Sequence, residues 1–271
     1  MAVDHALAAC SSPGEAVFRI YRWSCPTVSF GRNESARARF DPAAGHSAGV
    51  QFVRRPTGGR AVLHDRELTY AVVLPRPKAG DLRTTYRLIN RGLVEALCSL
   101  GVPAAMAVGH GLAVSRGSAG NRGFAAKRGF GAGPDSGPCF EEAAPGEVTV
   151  AGRKLVGSAQ ARLEGALLQH GSLLIGPGQE RMTALRSTSA GVQTGERGDE
   201  PGKDGGVRAP VSLEEVLGHA PPWSDLVQAV ISGLSGVAGG EWYRGELTEP
   251  ERVKSDTLIE RYGSAEWTWR R

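Results

Sequence analysis

The chain has 271 residues, of which 41% are apolar and 22% charged, a composition typical of a soluble globular protein with one large core. No stretch approaches the roughly 18 consecutive apolar residues of a membrane helix, and no basic start followed by an apolar run marks a secretory signal. We therefore predict a single domain over residues 1–271 that stays in the cytoplasm and does not contact membranes.

The formal charge of +4 comes from 32 basic and 28 acidic residues, an excess that suits acidic partner proteins but is too small to indicate nucleic acid. The four cysteines, Cys10, Cys25, Cys98 and Cys139, form no C-x-x-C pair. Neither a zinc site nor a disulfide framework is therefore predicted, and each cysteine is treated as an individual thiol.

In the first third of the chain, short apolar runs alternate with turn residues. Residues 1–10 have the apolar spacing of a short helix that ends at 11–14. Residues 16–23 and 27–31 are rich in aromatic and β-branched side chains and predict strands. In 50–75, two further strand-like runs flank a Gly-Gly turn, which indicates sheet carrying a functional loop.

The middle of the chain gives the clearest periodic patterns. Residues 81–100 carry apolar side chains at spacings of three and four and stop before Gly101, which predicts an amphipathic helix. Residues 147–175 predict an antiparallel meander, with turns at Ala151-Gly152 and Glu164-Gly165.

The remaining segments are helical or rich in glycine. Helical spacing recurs at 211–217 and 225–234, and the chain ends in an aromatic and basic tail. The stretches near 109–138 and 186–209 contain few large apolar residues, so we predict that they are flexible.

Cys139 lies in the segment GPCF, after the first Gly-rich stretch and before the strand that contains Lys154. A cysteine most often fills a gap in the core as a small hydrophobe. A loop thiol flanked by Gly and Pro is less often core filler, and a nearby cation favours the nucleophilic thiolate. We therefore interpret Cys139 as a candidate nucleophile and the other three cysteines as structural.

Lys154 interrupts an apolar strand, on the face that also carries Val156 and Ser158. Its ordinary interpretation is a solvated charge at a sheet edge. The following small residues, Gly157, Ser158 and Ala159, instead leave room for a ligand chain along the sheet, with the ammonium reaching a carbonyl or phosphate oxygen. We favour the second interpretation.

The segment RRPTGGRAVLHD at 54–65 joins arginines, a Gly-Gly turn, a histidine and an aspartate. It is either a hairpin with solvated charges or a loop whose backbone N–H groups and arginines hold a substrate. It is not a Walker A loop, because no Gly-Lys-Ser/Thr follows. His170, at the end of a predicted strand, is either a base or a hydrogen-bonded structural residue.

Three stretches in this order, 53–65, 152–160 and 167–175, resemble the signature of the lipoate-protein ligase A, octanoyltransferase and biotin-ligase superfamily. The segments MAVDHALA, PTVSFGRN and RYGSAEWTWRR also fit, so the resemblance spans nearly the whole chain. It implies an α+β fold with a mixed, mostly antiparallel sheet and packed helices, like the class II synthetase-like catalytic domain of biotin ligases.

The combination of PCF with GRKLVGSAQ is similar to the cysteine-dependent octanoyltransferases of the LipM type. This resemblance implies that Cys139 is the nucleophile and that Lys154 holds the acyl carbonyl. The predicted substrate-binding residues are Arg55, Thr57, Gly58, Gly59, Arg60, His64, Gly157, Ser158, Ala159 and His170.

The implied reaction moves an octanoyl group from acyl carrier protein to a lysine of a lipoyl domain or glycine-cleavage H protein, without a cofactor or metal. The alternative is an ATP-dependent lipoate ligase, which would form lipoyl-AMP with ATP and magnesium. RNA binding through the Arg and Gly residues of 115–133 is the least favoured alternative.

Some positions depart from the family pattern. Arg60 stands where a third glycine is common, and the GRN at 31–33 resembles the ligase branch. The chain also begins inside what is usually the first helix, so we expect a missing leading strand or a misplaced start.

Overall fold

The computed structural model describes residues 1–75, 82–108, 144–187 and 209–271. The strands are β1 (Val17–Tyr21), β2 (Thr27–Phe30), β3 (Gln51–Arg54), β4 (Val62–His64), β5 (Glu67–Leu74), β6 (Ala104–Met106), β7 (Val148–Val150), β8 (Arg153–Leu163) and β9 (Ala166–Leu174). The helices are α1 (Ala2–Ala9), α2 (Pro42–Ser47), α3 (Leu82–Ser99), α4 (Leu213–Leu217), α5 (Trp223–Ala238), α6 (Glu249–Gly263) and α7 (Ala265–Thr268), and a 3-10 helix covers Gln179–Leu185.

These strands form two sheets. The larger has the order β1-β5-β9-β8-β7-β6 with every neighbouring pair antiparallel, and the smaller has the order β3-β2-β4. Strand β2 pairs parallel with β3 and antiparallel with β4. The predicted α+β fold with a mixed, mostly antiparallel arrangement is confirmed, and the parallel pairing belongs to the smaller sheet.

The meander of β7, β8 and β9 is confirmed with both of its predicted turns. Ala151 and Glu164 have φ of 50° and 51°, and Gly152 and Gly165 follow with φ of 75° and 89°. Two consecutive residues with positive φ are characteristic of the type I′ turn, whose twist matches that of the strands it joins.

The main core lies on one face of the larger sheet, where α3 and α5 pack. Ile89, Leu93 and Leu97 of α3, at the predicted spacing, are buried together with Leu226 and Val230 of α5. Helix α1 packs on the opposite face and is covered in turn by α6. None of the helices that the structure describes is long and apolar enough to cross a membrane.

Of the two interpretations of residues 54–65, the hairpin is wrong. The runs on either side of the Gly-Gly turn, β3 and β4, do not pair with each other, because β2 lies between them. The turn therefore connects two strands across a third and does not close a hairpin.

Five elements were not predicted from the sequence: α2, β6, the 3-10 helix, α6 and α7. Helix α6 has only three buried residues, Ser255, Leu258 and Tyr262, and so lacks a wide apolar stripe. It begins instead with a local signal, since the Glu251 carboxylate accepts a hydrogen bond from the backbone N–H of Thr248 at 2.6 Å.

The predicted flexible stretch 109–138 lies outside the described residues, as do residues 188–208 of the second stretch. The single-domain organisation over residues 1–271 stays a prediction.

Candidate active site

A cavity between the two sheets brings together several of the predicted substrate-binding residues. Its volume is small, about 30 Å³, and it is partly open to solvent. One wall consists of adjacent segments of two paired strands, where Gly157 pairs with Ser172, Ser158 with Gly171, and Ala159 with His170. Because five of these six residues have small side chains, the sheet leaves space above it at this point.

The opposite wall comes from the smaller sheet and the loop that follows it. Ser29 of β2, His64 of β4 and Arg55, directly after β3, all line the cavity. Each is buried, with an exposed fraction of 5% or less. The motif at 54–65 and the strands β8 and β9 therefore meet here, although residues 66–152 separate them in the chain.

Arg55 fastens the loop that contains the Gly-Gly turn. Its guanidinium donates to the carbonyl oxygens of Ser29 at 2.7 Å, Gly58 at 3.0 Å and Arg60 at 2.6 Å, and to the Ser29 hydroxyl at 3.0 Å. Thr57, Gly58, Gly59 and Arg60 do not line the cavity themselves. They form the loop that Arg55 holds in place.

The loop lies directly on the backbone at the end of β2. A Cβ added at Gly31 would lie 1.8 Å from the carbonyl oxygen of Gly59, so only glycine fits this approach. The backbone N–H of Arg32 also donates to the Thr57 carbonyl oxygen at 2.7 Å. These contacts hold the segment SFGRN against the segment PTGG.

His64 is held through both ring nitrogens. Its Nδ1 is 2.7 Å from the Glu67 carboxylate and its Nε2 is 2.7 Å from the Ser29 hydroxyl. A carboxylate accepts hydrogen bonds, so a proton is assigned to Nδ1, which donates to Glu67. Trp23 stacks on the ring at a centroid distance of 4.4 Å.

His170 is also held on both sides. Its Nε2 is 2.5 Å from the Thr57 hydroxyl, and its Nδ1 is 3.7 Å from the carboxylate of Asp4 on α1. Burial lowers the pKa of His170, and the opposing effect of Asp4 does not overcome it. The ring is therefore neutral at physiological pH and contacts the predicted loop directly.

Lys154 lies near the start of β8, before the residues that line the cavity. A strand rises roughly 3.3 Å per residue, so Gly157 is about 10 Å and Ala159 about 16 Å from it along the strand. Its ammonium is 2.7 Å from the Glu147 carboxylate, and the two side chains are 3% and 9% exposed. The solvated edge charge considered for Lys154 is therefore wrong.

A chain of buried polar side chains joins the cavity to the region of Lys154. The Tyr70 hydroxyl is 2.7 Å from the Ser158 hydroxyl and accepts a hydrogen bond from Gln169 at 2.9 Å. Gln169 also donates to Asn90, whose amide donates to the carbonyl oxygen of Gly146 at 2.7 Å. Burial raises the pKa of Tyr70 to about 12, so the phenol keeps its proton.

The predicted nucleophile, Cys139, lies outside the described residues. Of the other cysteines, Cys98 is exposed and Cys10 and Cys25 are partly buried, and none of them lines the cavity.

The sequence analysis missed the acidic partners of the site. Asp4, Glu67 and Glu147 are all buried and contact His170, His64 and Lys154 respectively. The available signal was an acidic residue inside an apolar run, which in a folded protein implies a buried partner.

Comparisons with known proteins find relatives over the whole chain. The family model described as lipoyl protein ligase A/B catalytic domain matches residues 1–235. A protein of Kyrpidia tusciae named octanoyltransferase LipM is 37% identical over all of this chain and 94% of its own length. The protein of the same name from Staphylococcus aureus is 32% identical, also over all of this chain and 94% of its own length.

Solved structures share the fold at lower identity. A lipoate-protein ligase A bound with ATP superposes with a TM-score of 0.71 at 20% identity, covering 99% of this chain and 92% of that one. A bipartite lipoate protein ligase of Thermoplasma acidophilum, solved with its E2 lipoyl domain, gives the same TM-score and identity over 99% and 89%.

Proposed function

Because the chain belongs to the lipoyl protein ligase A/B catalytic domain family, we propose that it moves an octanoyl group from acyl carrier protein to a lysine of a lipoyl domain or H protein. Its full-length relatives at 30–37% identity carry the name octanoyltransferase, and the chain is accordingly an acyltransferase. The acyl donor, the acyl acceptor and the catalytic residues belong to this proposal.

The reaction runs in two steps through Cys139. The Cys139 thiolate attacks the carbonyl carbon of the donor thioester, the carbon–sulfur bond to the carrier breaks, and the carrier thiol leaves with a proton from solvent. The amine of the acceptor lysine then attacks the carbonyl carbon of the new thioester, the bond from this carbon to the Cys139 sulfur breaks as the amide forms, and the amine proton passes to the departing Cys139 thiolate. One thioester replaces another before the amide forms, so neither ATP nor a metal is required.

The observation that carries this proposal is the cavity beside Gly157, Ser158 and Ala159 on the strand that also contains Lys154. An acyl carbonyl at the Lys154 ammonium directs an extended chain of eight carbons along β8 toward the nearer end of this cavity, at Gly157, about 10 Å along the strand. The ammonium would stabilise the negative charge that develops on the carbonyl oxygen in both steps. The cytoplasm is part of the same proposal, because the thiol must stay reduced.

The test is to mix the protein with octanoyl-loaded acyl carrier protein and measure its intact mass. We expect wild type to gain one octanoyl group and Cys139→Ala to gain none, because the acceptor sulfur is gone. Cys98→Ala is the matched control, since its thiol is exposed on α3, and it should acylate like wild type. An undiminished adduct on Cys139→Ala contradicts the proposal.

The alternative, an ATP-dependent ligase, is tested with the same protein. Free octanoate or lipoate with ATP and magnesium is expected to give no acyl-adenylate and no modified lipoyl domain. Modification that depends on ATP would favour the ligase.

A further inference from the structure

We infer that Glu147 is the positioning residue for Lys154, holding its ammonium in the direction of the acyl carbonyl. This inference rests on the proposed function, in which Lys154 stabilises the charge on that carbonyl. No part of the proposed reaction requires Glu147 to touch the substrate, so it acts through the lysine.

The geometry of the pair fixes the ammonium. One oxygen of the Glu147 carboxylate is 2.7 Å from Lys154 Nζ, and the other accepts a hydrogen bond from the backbone N–H of Ala144 at 2.8 Å. An ammonium has three N–H groups, and fixing one of them sets the directions of the other two. The carboxylate thus determines where the lysine directs its charge.

The turn that carries Glu147 is itself held firmly. The backbone N–H of Gly146 donates to the Ala107 carbonyl oxygen at 2.8 Å, and the backbone N–H of Ala107 donates to the Glu147 carbonyl oxygen at 2.7 Å. Asn90 of α3 donates to the Gly146 carbonyl oxygen and belongs to the buried polar chain that reaches Ser158 at the cavity. The position of the carboxylate is therefore tied to the wall along which the acyl chain would lie.

The pairing of β7 with β8 is irregular beside Lys154. Thr149 pairs with Lys154, whereas the adjacent Val148 pairs with Val156, so Leu155 is an extra residue on β8. Bulges of this kind re-aim a neighbouring side chain. Glu147 immediately precedes β7, and the irregular pairing lies between its strand and the lysine.

Stability alone does not account for this pair. Burying two charges costs as much solvation energy as their attraction returns, so apolar side chains of similar size would stabilise the fold equally well. The chain nevertheless buries both Glu147 and Lys154. A requirement for an oriented ammonium explains the pair.

The experiment measures the rate of octanoyl transfer from the carrier to the full-length protein by intact mass. We expect Glu147→Gln to slow acylation roughly 100-fold, because a misdirected catalytic group costs about that factor. Glu147→Asp keeps the charge and should acylate faster than Glu147→Gln. The matched control is Glu95→Gln, which removes an exposed carboxylate 3.6 Å from Arg91 on α3 and should acylate like wild type.

A double variant separates positioning from a general structural role. In a Lys154→Ala background, Glu147→Gln should slow acylation by no more than about twofold, since a residue that acts only through the lysine has nothing left to position. If Glu147→Gln slows acylation in the Lys154→Ala background as much as it does in wild type, the inference is overturned. A Glu147→Asp variant that is no faster than Glu147→Gln also overturns it.

The two proposals fail in different ways. If wild type gains no octanoyl group, both the proposed function and this inference fail. If wild type and Glu147→Gln acylate at the same rate, only the role of Glu147 is overturned, and the transfer through Cys139 stands.

Discussion

Individual acidic residues contact the histidines around the cavity and hold their rings in position. Glu67 accepts a hydrogen bond from His64, Asp4 lies beside His170, and both carboxylates are buried. With its protons assigned in this way, the His64 ring directs Nε2 to Ser29. The polar atoms of this wall are therefore engaged with each other, which leaves the carbon surfaces of the side chains facing the cavity.

The size of residue 159 should set the acyl chain length. Replacing Ala159 with valine adds two methyl groups to the cavity wall, where the loop at Gly59 already lies close. We expect Ala159→Val to lower kcat/KM for the octanoyl carrier by about tenfold or more relative to a hexanoyl carrier, because each methylene in an apolar pocket is worth roughly 1–3 kcal/mol. Rates with the two carriers measure this ratio.

Ala161→Val is the control for this substitution. Ala161 lies two residues farther along β8 and does not line the cavity, so the ratio should stay at the wild-type value. An unchanged ratio in Ala159→Val would mean that the acyl chain does not reach this wall.

At the scale of elements, the core depends on how closely α3 and α5 approach each other. Gly92 and Gly233 face one another, and a Cβ added at Gly233 would lie 2.2 Å from the carbonyl oxygen of Gly92. Both helices also contact the larger sheet, so neither is able to move away without losing core contacts. Two glycines within otherwise regular helices are explained by this contact.

Gly233→Ala should therefore destabilise the protein. We expect a loss of about 1–3 kcal/mol, the usual cost of overpacking, measured as a lower free energy of unfolding in denaturant. Gly236→Ala on the same helix is the control, because its Cβ would meet only the Glu95 carboxylate at 3.8 Å. That substitution should leave stability unchanged or raise it by up to about 1 kcal/mol.

At the scale of the whole molecule, the end of the chain is bound to the motif at 54–65. The fully buried Arg54 donates to the carbonyl oxygen of Thr268 at 3.0 Å, and the Trp267 indole donates to the Arg54 carbonyl oxygen at 2.8 Å. Burial lowers the pKa of Arg54 to about 10, which leaves the guanidinium charged at neutral pH. The segment that ends the chain thus supports the base of the loop beside the cavity.

Buried histidines should make the stability of the molecule depend on pH. Burial lowers the pKa of both His170 and His5 below the ordinary value of about 6.5. As the pH falls below that value, the unfolded chain binds protons that the folded chain does not, so stability present at pH 7 is lost toward pH 5. We expect the melting temperature to fall over this range.

His170→Gln should weaken this pH dependence, and His219→Gln should not, because His219 is exposed. Melting temperatures at pH 7 and pH 5 for wild type and both variants check the prediction. A wild-type melting temperature that is equal at the two pH values would contradict it.

The sequence alone determined the elements whose signals are local. The stripe of α3, the two turns of the β7–β9 meander and the segments typical of the family depend on neighbouring residues, so they can be read from periodicity and turn chemistry. The same pattern singled out Lys154, His64 and His170, because polar residues inside apolar strands stand out.

Only the tertiary structure decided which groups those residues contact. The partners of His170, His64 and Lys154 are set by strand register and by the packing of α1, and the insertion of β2 between β3 and β4 is a matter of topology. Such contacts join residues far apart in the chain, and their energies depend on burial that no local pattern encodes. The acidic partner of each basic group therefore became visible only in the folded molecule.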